Sequence, residues 1–83
     1  MINYSLTKHA DRQLRKLTLE TQRRIIKKVK FYLSAENPLH FADSIKGEKG
    51  KVYRFRVGDY RVIFDWLGDY ILVTQVDPRP KAY

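Results

Sequence analysis

The chain has 83 residues, with 17 Lys/Arg against 9 Asp/Glu and a formal charge of +8 at pH 7. Hydrophobic residues make up 43% and aromatics 13%, enough for a packed core and too many for a disordered chain. The absence of cysteine excludes a disulfide framework, a thiolate nucleophile and a zinc finger.

Length predicts one domain over 1–83. No apolar run approaches the roughly 20 residues of a membrane span. No signal-peptide pattern is read at the start, so a cytoplasmic protein without a membrane partner is expected. The excess positive charge is the footprint of a partner for phosphate backbones, acidic protein segments or anionic lipid. On its own it also fits a merely soluble basic protein.

In chain order, Ile2 to Leu6 alternate as a first strand. Thr7 is a helix cap for Lys8 to Lys16, with Ala10, Leu14 and Leu17 at helical spacing. Thr18 caps a second, longer helix whose Ile25, Ile26, Val29, Tyr32 and Leu33 form one stripe. Asn37-Pro38 is expected to stop it, since a residue before proline avoids the helical region. Leu39 to Gly50 reads as an irregular loop. Lys51–Val57, Asp59–Trp66 and Tyr70–Val76 are strand-like, separated by tight turns at Gly58-Asp59 and Leu67-Gly68-Asp69. The order β-α-α-β-β-β predicts an α+β fold, with a helical hairpin packed on one face of a small, mainly antiparallel sheet.

A two-residue turn at Gly58-Asp59 sets Val57 opposite Tyr60, Phe55 opposite Val62 and Tyr53 opposite Phe64, six residues on one face as a core wall. The other face receives Arg54 and Arg56 from one strand and Arg61, Ile63 and Asp65 from the next, with Arg56 directly across from Arg61. Like charges so placed are mildly destabilising, which suggests a bound anion or a carboxylate-bearing partner. The plain alternative is a solvated face on which Asp65 offsets part of the charge. The two prolines of VDPRPKAY are expected to hold an extended tail outside the sheet. That tail would bring Arg79, Lys81 and Tyr83 to the edge of the basic face, unless it frays as chain ends do.

KHADRQLRKL, a long basic helix, KGEKGKVYRFRVGDYRVIFDW and a closing R-x-x-x-Y together resemble the RelE/ParE toxin superfamily of bacterial toxin–antitoxin systems, across essentially the whole chain. The VGDYR segment is the most specific part. The resemblance implies the RelE-like branch, which cleaves mRNA in the ribosomal A site without a metal or other cofactor. ParE-like members instead poison DNA gyrase. It also implies a cognate antitoxin, acidic and partly disordered until it wraps the toxin, with operator DNA contacted only through that antitoxin.

Carried over, the resemblance makes Arg56, Arg61, Arg79 and Tyr83 the catalytic candidates and sets Arg54 beside them. Arg54, with the basic Lys51, Lys81, Arg23 and Lys27, makes up the RNA-binding candidates. Two departures stand out. Arginines replace the lysines of the best-known member, and Pro78 takes the place of the histidine that often precedes the tail arginine.

Metal-free RNA cleavage uses the adjacent 2′-hydroxyl as nucleophile. It requires a base, stabilisation of the transition-state charge and an acid for the departing 5′-oxygen. Arginine's planar fork suits the second role and its permanent charge disqualifies it from the first. Arg56 and Arg61 are therefore assigned to transition-state stabilisation, Arg54 to clamping the backbone, Arg79 to the leaving side, and Tyr83 to stacking or proton transfer. No base is identified, since His9 and His40 match no catalytic position of the family. The missing base keeps open a basic module that binds RNA without cutting it. The five cations Arg23, Arg24, Lys27, Lys28 and Lys30 are either a solvated helix face or a contact for ribosomal RNA. Carboxylate pairs, Gly-rich phosphate loops and metal-ligand spacings are not found, and the aspartates are expected mostly in turns.

Overall fold

The computed structural model describes residues 2–45 and 51–78. The elements are β1 (Asn3–Leu6), α1 (Lys8–Arg15), α2 (Leu19–Leu33), a 3-10 turn (Pro38–Phe41), β2 (Ala42–Ser44), β3 (Val52–Val57), β4 (Tyr60–Trp66) and β5 (Tyr70–Pro78). The five strands form one sheet in the order β1-β5-β4-β3-β2, antiparallel except for the parallel pair β1-β5. Two helices on one face of a mainly antiparallel sheet make this the expected α+β fold.

Both helix starts follow from their threonines. The Thr7 hydroxyl accepts from the Ala10 N–H at 3.1 Å and the Thr18 hydroxyl from the Thr21 N–H at 3.2 Å, each satisfying a donor that the first helical turn cannot. The helices lay Ala10, Leu14, Ile25, Val29, Tyr32 and Leu33 on the sheet residues Phe55, Val57, Val62, Phe64, Ile71, Val73 and Val76, all buried. Burying each large side chain contributes about 1.5–3 kcal/mol. Tyr32 is the one core residue here with a polar end, and its hydroxyl donates to the Arg56 carbonyl at 3.4 Å.

Three features differ from expectation. First, α2 ends at Leu33, before Asn37-Pro38. The Ser34 hydroxyl donates to the Phe31 carbonyl at 2.7 Å and closes the helix there. Second, the segment expected as a loop contains the 3-10 turn and β2, which pairs Ala42, Asp43 and Ser44 with Phe55, Arg54 and Tyr53. Third, the tail does not leave the sheet at its first proline. β5 runs to Pro78, with Asp77 opposite Arg61 and Pro78 opposite Tyr60. Proline is tolerated there because β1 has already ended at Leu6 opposite Val73, so that side of β5 asks for no ladder donor.

Among the described residues, no helix is long and apolar enough to cross a membrane.

Candidate functional site

The β3–β4 hairpin adopts the register read from the sequence: Val57 faces Tyr60, Phe55 faces Val62, Tyr53 faces Phe64 and Arg56 faces Arg61. Gly58 has φ +58°, and among the described residues only glycines have positive φ. That combination is the type II′ pattern, in which the first turn position alone demands glycine. Alternation then turns Arg54, Arg56 and Arg61 onto the sheet face away from the helices.

What holds them there was not expected. Asp43, on the edge strand β2, places Oδ2 3.1 Å from Nε of Arg56 and 3.5 Å from Nε of Arg54. Asp77, on β5, places Oδ2 3.7 Å from Nη2 of Arg61. Asp65, the expected counter-charge, forms no ion pair among the described residues, because Leu72 of β5 and Val52 of β3 are its ladder partners. Asp43, Asp65 and Asp77 all lie in strands rather than turns. The Arg61–Asp77 pair is the more enclosed, with side chains 24% and 22% exposed, against 53% and 50% for Arg56 and Asp43. Nε of Arg54 and Nε of Arg61 are buried without a hydrogen-bond acceptor.

A β-bulge brings Asp77 to this face. The β4–β5 register steps from Ile63 opposite Gln75 to Phe64 opposite Val73, leaving Thr74 as an extra residue. Ile71 and Val73 point into the core, and but for the bulge, with Thr74 itself paired, Gln75 and Asp77 would follow them. With it, Val76 turns inward and Asp77 outward, the re-aiming that bulges perform. The α1 cap grips this bulge. The Thr7 N–H donates to the Val73 carbonyl at 2.9 Å, and the Thr7 hydroxyl approaches the Thr74 carbonyl at 3.5 Å. Beyond the end of β1, Gln13 of α1 takes over the edge of β5: its Oε1 accepts from the Val76 N–H at 2.7 Å and its Nε2 donates to Asp77 Oδ1 at 3.1 Å.

The remaining candidates lie elsewhere. Arg23 and Lys27 line an open groove of ≈ 390 Å³ with Gln22, Ile26 and Lys30 on α2, in the helix layer behind the sheet. The cation of α2 that reaches the hairpin is Arg24, whose guanidinium lies beside the Gly58 turn. Lys51 is exposed just before β3, at the end far from the turn, where its carbonyl accepts from the Trp66 N–H at 2.8 Å. Arg79, Lys81 and Tyr83 lie outside the described residues. His9 and His40 are exposed, on α1 and in the 3-10 turn. Among the described residues no three His, Cys, Asp or Glu side chains are grouped as metal ligands.

Asp43, Asp77 and Gln13 are the site residues that sequence reasoning missed. For Asp77 a signal exists, because Ile71, Val73 and Val76 break a strict alternation by one residue, as a bulge does. For Asp43 and Gln13 the sequence offers none.

The family model described as ParE toxin of type II toxin–antitoxin system, parDE, matches residues 4–83. No curated protein sequence matches the chain. Solved structures do. The toxin–antitoxin complex RelBE2 from Mycobacterium tuberculosis matches with a TM-score of 0.81 at 24% identity, over 94% of this chain and 98% of that one. The RelE–RelB complex from Pyrococcus horikoshii gives 0.70 at 25% identity, over 98% of each. The ParDE system of P. aeruginosa gives 0.71 at 15% identity, over 96% and 98%.

Proposed function

This chain belongs to the ParE toxin family of type II toxin–antitoxin systems, within the RelE/ParE superfamily, and we propose that it acts as a metal-independent endoribonuclease cutting mRNA on the ribosome. The observation that carries this reading is the direct opposition of Arg56 and Arg61, with Arg54 along the same face. Two guanidiniums across a ladder form a cleft whose charge favours a phosphate that becomes more negative in the transition state.

In this proposal a 2′-hydroxyl attacks its own 3′-phosphate. A P–O bond forms to the 2′-oxygen, the P–O5′ bond breaks, and a 2′,3′-cyclic phosphate and a 5′-hydroxyl result. Arg56 and Arg61 stabilise the five-coordinate phosphorus and Arg54 grips a neighbouring phosphate. Arg79 is assigned to the leaving oxygen and Tyr83 to stacking or proton transfer, both on the family resemblance. Asp43 lies between the Arg54 and Arg56 guanidiniums and is engaged with both, and no side chain is identified as the base. Rate therefore rests on positioning and electrostatics, with the ribosome presenting the substrate. The exposed α2 cations Arg23 and Lys27, with Lys51 and Lys81, are assigned to RNA backbone contacts. The partner proposed is a cognate antitoxin, as in the RelE–RelB complex from P. horikoshii.

A second reading is a DNA gyrase poison. The description of the matching family and the fold shared with the ParDE system favour it. Induced expression separates the two. Primer extension on cellular mRNA shows discrete new 5′ ends for a nuclease, while a gyrase poison gives linearised DNA and SOS induction with intact mRNA.

A further inference from the structure

Arg61 is not held by its own strand. From the contacts around it we infer that Gln13 and Asp77 are positioning residues for Arg61, so that helix α1 sets the geometry of the arginine cleft on the other side of the sheet. The inference rests on the assignment of the cleft to phosphate, but its core, that Arg61 is ordered from α1, stands or falls separately.

Arg61 faces Arg56 at a directly opposed ladder position, so repulsion drives the two guanidiniums apart and toward solvent. Asp77 is Arg61's ladder partner on its other side and supplies the opposing pull at 3.7 Å, in surroundings enclosed enough for the attraction to be only partly screened. Asp77 in turn has two oxygens with two tasks. Oδ1 accepts from Gln13 Nε2 at 3.1 Å, which fixes the carboxylate plane, and Oδ2 is left toward Arg61.

Gln13 is itself fixed, because its Oε1 takes the Val76 N–H at 2.7 Å where β1 no longer pairs with β5. A single amide thus replaces a missing strand on one side and orients a carboxylate on the other. An ordinary surface ion pair needs no such amide anchor, and Asp43, twice as exposed, is shared between Arg56 and Arg54 with no side-chain amide bonded to it among the described residues. The unsatisfied Nε of Arg61 lies at the end of this chain of contacts. The chain of contacts therefore holds the Arg61 guanidinium in place.

The test uses the purified full chain and the variants Asp77→Asn, Asp77→Glu and Gln13→Ala, with the Arg61 Nε–Hε NMR resonance and single-turnover cleavage of ribosome-bound mRNA as readouts. The expected result is a dispersed, slowly exchanging Arg61 signal in the parent chain that collapses toward the free-arginine position in Asp77→Asn and Gln13→Ala. Asp77→Glu, which keeps the charge, restores it in part. Cleavage falls on the order of 10–100-fold in the first two, while RNA affinity in Asp77→Asn is unchanged or tighter, because a negative charge has been removed. A role confined to stability predicts instead a lower melting temperature with the Arg61 signal unchanged in the folded fraction. An unchanged signal in both Asp77→Asn and Gln13→Ala overturns the inference. Should the signal collapse while Arg61→Ala still cleaves at the parental rate, positioning holds and the nuclease reading fails.

Discussion

Arg56 and Arg61 face one another across the β3–β4 ladder, and each leans on a carboxylate from a different neighbouring strand, Asp43 of β2 and Asp77 of β5. The arrangement is a local conflict built into an otherwise consistent sheet. Such conflicts gather where function, not folding, selects the residue.

The first prediction follows from that conflict. Arg56→Ala removes one side of a like-charge pair together with an exposed ion pair, two small terms of opposite sign. Its effect on unfolding free energy is expected to stay within about 1 kcal/mol by thermal or denaturant melting. Growth arrest on induced expression is nevertheless expected to disappear. A loss of more than about 3 kcal/mol would assign Arg56 to the fold instead.

Thr74 gives a second. Deleting it closes the bulge without changing the pairing, so Val73 stays opposite Phe64, Gln75 opposite Ile63 and Asp77 opposite Arg61, with Val76 still inward. What is lost is the extra residue and the long contact of its carbonyl with the Thr7 hydroxyl, so the deletion variant is expected to melt cooperatively, within about 1–2 kcal/mol of the parent. A deletion variant without a cooperative transition would show that the bulge itself, and not the pairing around it, holds β5 in the sheet.

Gly58 supplies a third. A Cβ added there meets only the far end of Arg24, at 3.9 Å, so space is not the obstacle. The backbone is: at φ +58° a non-glycine residue is strained by about 1–2 kcal/mol. Gly58→Ala is expected to lower stability by that amount in denaturant melts with an unchanged m-value.

The fourth concerns α2. If Arg23 and Lys27 contact RNA phosphates, replacing either with Gln lowers the slope of log affinity against log salt by about one. The cleavage rate of bound RNA is unchanged, because both lie in the helix layer and not on the arginine face. An unaltered slope in the double variant identifies this surface as merely solvated.

Sequence pattern reached the central hairpin because two strong local signals agree there, a period-2 alternation and a glycine at the one turn position requiring it. The helix caps were legible for the same reason, since Thr7 and Thr18 each precede an apolar stripe. β2 was not. It has three residues, Ala42–Ser44, with no apolar alternation, and it exists because β3 offers an open edge. Missing β2 meant missing Asp43, and missing the bulge at Thr74 meant placing the tail outside the sheet and Asp77 in a turn. The arginines were visible as residues, whereas the carboxylates and the amide that orient them are products of tertiary pairing.

The central claim is that the opposed arginines cut RNA. It is tested most directly by adding purified toxin, parent or Arg61→Ala, to ribosomes stalled with an mRNA end-labelled for cleavage mapping. Discrete cuts leaving 2′,3′-cyclic phosphate ends are expected with the parent chain and none with Arg61→Ala, which is expected to fold as well as the parent. Intact mRNA with the parent chain, or equal cutting by both proteins, would contradict it.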